Sequence, residues 1–355
     1  MKIPEYIDLY KSKINETIRK FFQSLRNKAK NPFLKDFYDE INRYLLSGGK
    51  RLRPLICIAA YNAFKSEQND KIIFPSIAVE LLHNASLIHD DIIDRDDFRR
   101  NNPSFHYRFN LYYEKNELEI MDKEHFGNSM GILGGDKVYF CGLSVLLDNN
   151  FRKEKNFDAI KYYKLAFQEL CDGVIIETEM INRDDISMEE YIQMISLKTG
   201  ALIEKSALIG ASYAEANEKY LPLLSAYSKN LGIIFQITDD ILGSFGDEKI
   251  TGKPTDGDIR EGKKTCLLID SLKRLDKKDA QRLKKLVGNP YITQKAVEEV
   301  KNLFLKSDSV QSCKNLANKY YSMAEEHLND LKPHINRSEF EFFQSLLNFV
   351  LRRKY

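Results

Sequence analysis

LLHNASLIHDDIIDRDDFRRNNPSFH, residues 81–106, is the stretch on which the reading of this chain turns. Leu81, Leu82, Leu87, Ile88, Ile92 and Ile93 recur at helical spacing, so a helix here buries one stripe and points another at something polar. Asp90 and Asp94 stand one turn apart and share that polar face, whereas Asp91 is turned about 100° away. Asp96, Asp97, Arg99 and Arg100 follow. A charge run on a helix is commonly just a solvated face. Acids directly ahead of two arginines allow a second use. Carboxylates repel a phosphate by themselves, but they hold Mg2+, which prefers oxygen ligands, retains water and takes phosphate oxygens as its remaining ligands. The arginines then clamp the same phosphates bidentately.

A second pair of adjacent acids strengthens that use. Asp239 and Asp240 lie in FQITDDILG, residues 235–243, among Phe235, Ile237, Ile241 and Leu242. Acids in an otherwise apolar helix are costly to bury unless something compensates them, and metal ions do so. The segment that follows, GSFGDEKITGKPTDGDIREGKKT at 243–265, is glycine-rich and charged, and it brings Lys253, Asp258, Lys263 and Lys264. It suits a loop that closes over a charged substrate and excludes water.

Three shorter features are ambiguous alone. After Ser47-Gly48-Gly49 come Lys50, Arg51 and Arg53, either a helix end with solvated cations or an anion pocket in which Lys50 and Arg53 converge. His83 sits nearly two turns before Asp90 on roughly the same face; such a histidine is more often a core residue, but its alignment points to a substrate contact. His89 has no such alignment and reads as structural. Lys198-Thr199-Gly200 interrupts a helical pattern, as a kink or as an ammonium and a hydroxyl offered to a phosphate.

The 355 residues can bury a large core, and the formal net charge of +2, with basic residues spread along the chain, argues against a nucleic-acid groove. Five scattered cysteines without a C-x-x-C pair give neither a zinc knuckle nor a disulfide framework. The first residues contain no apolar signal core, and no uninterrupted apolar run reaches membrane-spanning length, so a soluble, cytoplasmic protein is expected. Helical periodicity fills 1–30, 33–47, 55–68, 73–97, 156–182, 188–214 and 222–242, while 107–126 reads as an extended loop or short irregular helices. Without a set of alternating strands, the expected fold is all-α, one domain over 1–355. No Ser-His-Asp or Cys-His arrangement, zinc-protease motif or P-loop is present. Paired acids, cations and apolar walls instead point to a diphosphate and a hydrocarbon bound together. The chemistry that fits is metal-assisted loss of diphosphate from an allylic ester, followed by alkene attack.

The motifs GGKRLRP at 48–54, DDIIDRDDFRRNNPSFH at 90–106, KTG at 198–200 and FQITDDILGSFGDEKITGKPTDGDIREGKKT at 235–265 occur in the order seen in the trans-isoprenyl diphosphate synthases, the polyprenyl synthetases, which this sequence resembles. The resemblance implies a single large helical bundle around a central cavity, usually a homodimer, using two or three Mg2+ ions per site. It implies that Lys50, Arg53, His83 and Arg100 bind isopentenyl diphosphate. Asp90, Asp94 and Asp239 become metal ligands. Arg99, Lys198, Thr199, Gln236, Lys253 and Lys263 become contacts to the allylic diphosphate, with Lys198 counted beside the three acids as catalytic. Ionisation, condensation and proton loss would follow, the departing diphosphate acting as base.

Several positions depart from the family pattern. Asn101 stands where glycine is common, Ser104 where threonine is, Val174 and Glu177 in place of Gln and Asp, and Gly243 in place of a third Asp; the segment 107–126 is longer than usual. In the family, bulky residues four or five positions before the first Asp floor the cavity for short products. Here those positions are Ser86 and Ala85, so a C20 or longer product is expected, geranylgeranyl diphosphate first, with Leu81, Leu82, Tyr139 or Phe140 as alternative floors. A terpene cyclase is one rival, though it needs no second diphosphate pocket. A non-catalytic or regulatory subunit of a heteromeric synthase is another, though it would be expected to have lost acids that this chain keeps.

Overall fold

The computed structural model describes residues 1–65, 69–246 and 255–353. The fold is all-α, and the described strands are two short segments in one hairpin. The chain forms two compact units, Met1–Tyr163 with Leu208–Ala216 and Lys164–Ala207 with Asn217–Tyr355.

In the first unit, α1 (Ile3–Lys28) buries Tyr6, Tyr10, Ile14, Ile18 and Phe22, a single stripe at one-turn spacing that packs on α2 (Pro32–Leu46). A loop through Gly48 and Gly49, both with positive φ, leads to α3 (Leu52–Ala63). Helix α4 (Ile73–Ile93) is apolar on nearly all sides because it is the core helix of this unit; it packs against α6 (Lys123–Leu147) and α3. Both Asp70–Ile93 and Lys123–Leu147 are long and apolar enough to cross a membrane by length and composition, but 72% of the first one's apolar window is buried inside the protein. Glycines let α6 come close to its neighbours: a Cβ on Gly135 would stand 2.1 Å from His89 Nε2. His89 meets the Ile132 carbonyl at 3.1 Å, in keeping with a structural role.

Two segments depart most from the sequence reading. Helix α4 stops at Ile93, because Arg95 takes a left-handed backbone and a hairpin begins at Phe98. The segment 107–126 is not an extended or irregular stretch: Phe105–Lys115 forms the regular helix α5, and α6 starts at Lys123. Aromatic packing supplies what periodicity lacks, since Phe105 and Phe109 meet the Phe37 ring with centroids 5.7 and 5.5 Å apart.

Helix α7 (Lys153–Met180) belongs to the second unit from Lys164 onward. Helix α8 (Met188–Ile195) runs through a π-helical turn, Ser196–Gly200, into α9 (Ala201–Tyr213), which belongs to the second unit as far as Ala207, so the helix expected at 188–214 is continuous but locally underwound. Helix α10 (Leu221–Phe245) carries the second acidic motif. The short α11 (Gly257–Glu261) lies within the glycine-rich stretch, and α12 (Cys266–Arg274), α13 (Lys277–Leu286), α14 (Gln294–Lys306), α15 (Ser309–Leu331) and α16 (Arg337–Leu351) complete the unit, with α10 packed along α15.

One buried ion pair ties the glycine loop to α4. Arg51 is 2% exposed and donates to Glu80 Oε1 at 2.8 Å, to the Leu45 carbonyl at 2.7 Å and to Asn15 Oδ1 at 2.8 Å. Arg51→Met, which leaves Glu80 buried without its cation, is expected to lower unfolding stability by about 3–5 kcal/mol in urea titration. The double change Arg51→Met/Glu80→Leu should recover most of that loss.

Candidate active site

Each unit carries its own set of chemical groups. In the first, the backbone N–H of Asp94 donates to the Asp90 carbonyl at 2.8 Å, so helical register persists and both half-buried side chains share one face of α4. Asp91 does something different. It is fully buried, accepts from Tyr44 Oη at 3.0 Å and forms an ion pair with Arg99. Burial pushes its carboxyl up to about 6, while Arg99 and the Tyr44 hydrogen bond pull it down. Asp91 therefore fixes Arg99 and is a structural partner of the expected phosphate contact.

The hairpin Phe98–Arg99/Asn102–Pro103 presents both arginines. Its two central residues, Arg100 and Asn101, have φ of 53° and 58°, the geometry of a tight turn that asparagine tolerates. Asn101 thus serves where glycine is common in the family. Arg100 reaches back to the glycine loop and donates to the Gly48 carbonyl at 3.2 Å. Loss of solvent, then Arg53, Arg100, Arg99 and Arg51, depress His83 well below the usual histidine range, so it stays neutral. The structure brings His83, Arg53 and Arg100 together beside Gly48–Gly49, and Lys50 is exposed in the same loop. Ser104 is buried and meets His106 Nδ1 at 3.2 Å.

In the second unit the π-helical turn presents Lys198 and Thr199. Lys198 pairs with Glu177 of α7, so the carboxylate that replaces the family's Asp orients this lysine. Gly173, one turn before Glu177, permits the approach: a Cβ there would lie 2.3 Å from the backbone nitrogen of Lys198. Thr199 Oγ1 donates to Gln236 Oε1 at 2.7 Å, and Gln236 Nε2 donates to Asp240 Oδ1 at 2.8 Å. Asp240 also accepts from Tyr191 Oη at 2.7 Å and from the Cys266 N–H at 3.4 Å. Burial, with Asp258 facing it, pushes Asp240 up to about 7 against those hydrogen bonds. Like Asp91, it is the anchored acid of its pair. Asp239 keeps a side chain 34% exposed and meets Arg353 Nη1 at 2.7 Å.

A cavity of about 80 Å³ is lined by Glu177, Lys198, Gln236, Asp240, Asp258 and Lys263 among others. Lys263 pairs with Glu261 at 2.7 Å. Lys253 lies outside the described residues. Gly243 is accounted for sterically, because a Cβ there would stand 2.9 Å from Asp258 Oδ2. Sequence reasoning missed Tyr44, Tyr191 and Arg353 as neighbours of the acids; each lies far along the chain from its partner, and no local pattern marks them.

Among the described residues, no three His, Cys, Asp or Glu side chains come together as a metal site. The candidate acids occur as Asp90 with Asp94 in the first unit, and Asp239 in the second. That donor set fits Mg2+, which binds one or two carboxylates and completes its shell with water and substrate phosphate oxygens.

The polyprenyl synthetase family model matches residues 35–304. The chain is 32% identical over 346 residues to a geranylgeranyl diphosphate synthase of Saccharolobus solfataricus, covering 96% of this chain and 97% of the relative. It is 38% identical over 265 residues to a short chain isoprenyl diphosphate synthase of Methanocaldococcus jannaschii, covering 74% of each. A solved geranylgeranyl pyrophosphate synthase of Corynebacterium glutamicum, complexed with isoprenyl diphosphate and magnesium, superposes with a TM-score of 0.92 at 25% identity over 100% of both chains. The fold, the motifs and these matches define a prenyl-transferring enzyme. The chain belongs to the polyprenyl synthetase family, and it is an isoprenyl diphosphate synthase, a transferase.

The two acids of the first pair should separate cleanly by mutation. Asp91→Ala, which strands a buried arginine, is expected to cost about 3–5 kcal/mol of unfolding stability, whereas Asp90→Ala should cost less than about 1 kcal/mol. Equal losses in denaturant titration would contradict the division of roles.

Proposed function

We propose that this protein condenses isopentenyl diphosphate with an allylic diphosphate to give an all-trans prenyl diphosphate of C20 or longer, geranylgeranyl diphosphate first. The observation that carries the condensing reading is the convergence of Arg53, Arg100 and neutral His83 beside the glycine loop. These groups, with Lys50, supply a diphosphate pocket separate in kind from the acidic motifs, which an enzyme acting on one diphosphate does not need. Asp90, Asp94 and Asp239 would hold two or three Mg2+ ions, whose contribution is to neutralise the charge that builds on the departing diphosphate. Arg99, Lys198, Thr199, Gln236, Lys253 and Lys263 bind and orient the allylic diphosphate. Held by Asp91 and Glu177, Arg99 and Lys198 meet it preorganised rather than mobile. The allylic C–O bond breaks, the alkene of isopentenyl diphosphate forms the new C–C bond, and a proton leaves to the released diphosphate. The candidate residues include no dedicated side-chain base.

Product length follows from α4. Ala85 is 2% exposed, and the Ser86 hydroxyl folds back onto the His83 carbonyl at 2.9 Å, so neither fills space as an aromatic ring would. One further turn of the helix adds about 5 Å, roughly one isoprene unit. Leu81 and Leu82 are fully buried, which favours them as the floor over Phe140, 59% exposed on α6.

A homodimer is part of this reading. Ile132, Leu133, Phe140 and Leu147 of α6 are 52%, 55%, 59% and 56% exposed and fall on one side of the helix, a stripe that a second copy would cover. The five cysteines are free thiols, which agrees with a cytoplasmic setting.

Incubation with labelled isopentenyl diphosphate, Mg2+ and each allylic primer, followed by dephosphorylation and chromatography, should give C20 or longer alcohols. A dominant C15 product would contradict the length argument, and no incorporation with any primer would contradict the activity. Ala85→Phe should shift products to C15 or shorter; an unchanged distribution removes Ala85 from the cavity wall. Chelation with EDTA should abolish incorporation, and excess Mg2+ should restore it.

A further inference from the structure

We propose that Arg353 is a resident counter-ion of the second acidic motif, holding the Asp239 carboxylate until a divalent cation displaces it. The inference rests on Asp239 being a metal ligand. Arg353 Nη1 lies 2.7 Å from Asp239 Oδ1, and its side chain is 7% exposed while that of Asp239 is 34% exposed. The guanidinium also sits 4.1 Å from the centroid of the Phe235 ring. Phe235 is one helical turn before Asp239, so a single face of α10 supplies both the ring and the carboxylate. Stacking and charge pairing together place the guanidinium over that face. A surface arginine sampling many partners would have neither the burial nor the ring.

The physical consequence is competition. A metal ion bound through Asp239 needs the same carboxylate that Arg353 neutralises, and a guanidinium left in place would repel the arriving dication. The carboxylate is open to metal only in the fraction of molecules in which Arg353 has moved away, and apparent metal affinity falls by that fraction. In return, the metal-free protein does not carry an uncompensated acid on an apolar helix. Arg353 thus acts on metal loading through Asp239 and is a positioning residue.

Mn2+ serves as the probe, with free ion counted by electron paramagnetic resonance during titration of the full chain. Wild type, Arg353→Gln, Arg353→Met and Asp239→Asn are compared, each checked for folding by thermal unfolding. Arg353→Met keeps the apolar stem over Phe235, so it decides the matter if Arg353→Gln does not fold. The folded Arg353 variants should bind Mn2+ about three- to tenfold more tightly than wild type, and Asp239→Asn should lose that site. Equal or weaker Mn2+ binding by the Arg353 variants, with the Asp239→Asn loss intact, overturns the counter-ion role and leaves Asp239 a ligand. Wild-type binding by Asp239→Asn overturns the ligand reading and the inference with it.

Discussion

An acid on an apolar helix must be compensated, and the way this chain compensates its acids organises both units. In each Asp-Asp pair the second residue turns inward and is satisfied by protein donors. Asp91 takes Arg99 and the Tyr44 hydroxyl; Asp240 takes the Tyr191 hydroxyl, the Gln236 amide and the Cys266 N–H. The first residue of each pair is only part-buried: Asp90 sits half-buried on α4, and Asp239 is 34% exposed and faces Arg353. The anchored acid also orients a neighbouring candidate for substrate contact, Arg99 in one unit and Gln236 in the other. The expense of burying these carboxylates is therefore tied directly to preorganising the groups expected to meet a diphosphate.

The cationic side follows the same logic. Lys198 is held by Glu177, and that ion pair exists because Gly173 lets α7 approach the π-helical turn. Arg100 is held by the Gly48 carbonyl, which a positive-φ loop exposes. Residues that differ from the family pattern fit this arrangement: Glu177 performs an orienting task, Asn101 accepts the left-handed backbone of the hairpin, and Gly243 leaves room for the Asp258 carboxylate.

Much of this was legible in the sequence. The all-α fold, the register of Asp90 with Asp94 and the glycine loop before Lys50 follow from helical spacing and backbone freedom alone. The roles of Asp91 and Asp240 were not legible, because spacing says only that a residue is turned away and not what it meets. Tyr44 lies 47 positions from Asp91, and Tyr191 lies 49 from Asp240. Helix α5 was hidden for a related reason: its stability comes from ring contacts to Phe37 on α2, a tertiary effect with no local signature. The KTG interruption read by itself as a helix kink, and the structure shows a π-helical turn there, with Lys198 paired to Glu177, a partner no local pattern marks.

The most direct test of the whole account is the stoichiometry of diphosphate release. Inorganic diphosphate is measured with Mg2+ present, using the allylic substrate alone, isopentenyl diphosphate alone, and both together. The account predicts one diphosphate released per isopentenyl diphosphate consumed, and release only when both substrates are present. Rapid release from the allylic substrate alone would contradict it, because the groups around His83 would then not serve a second, condensing substrate.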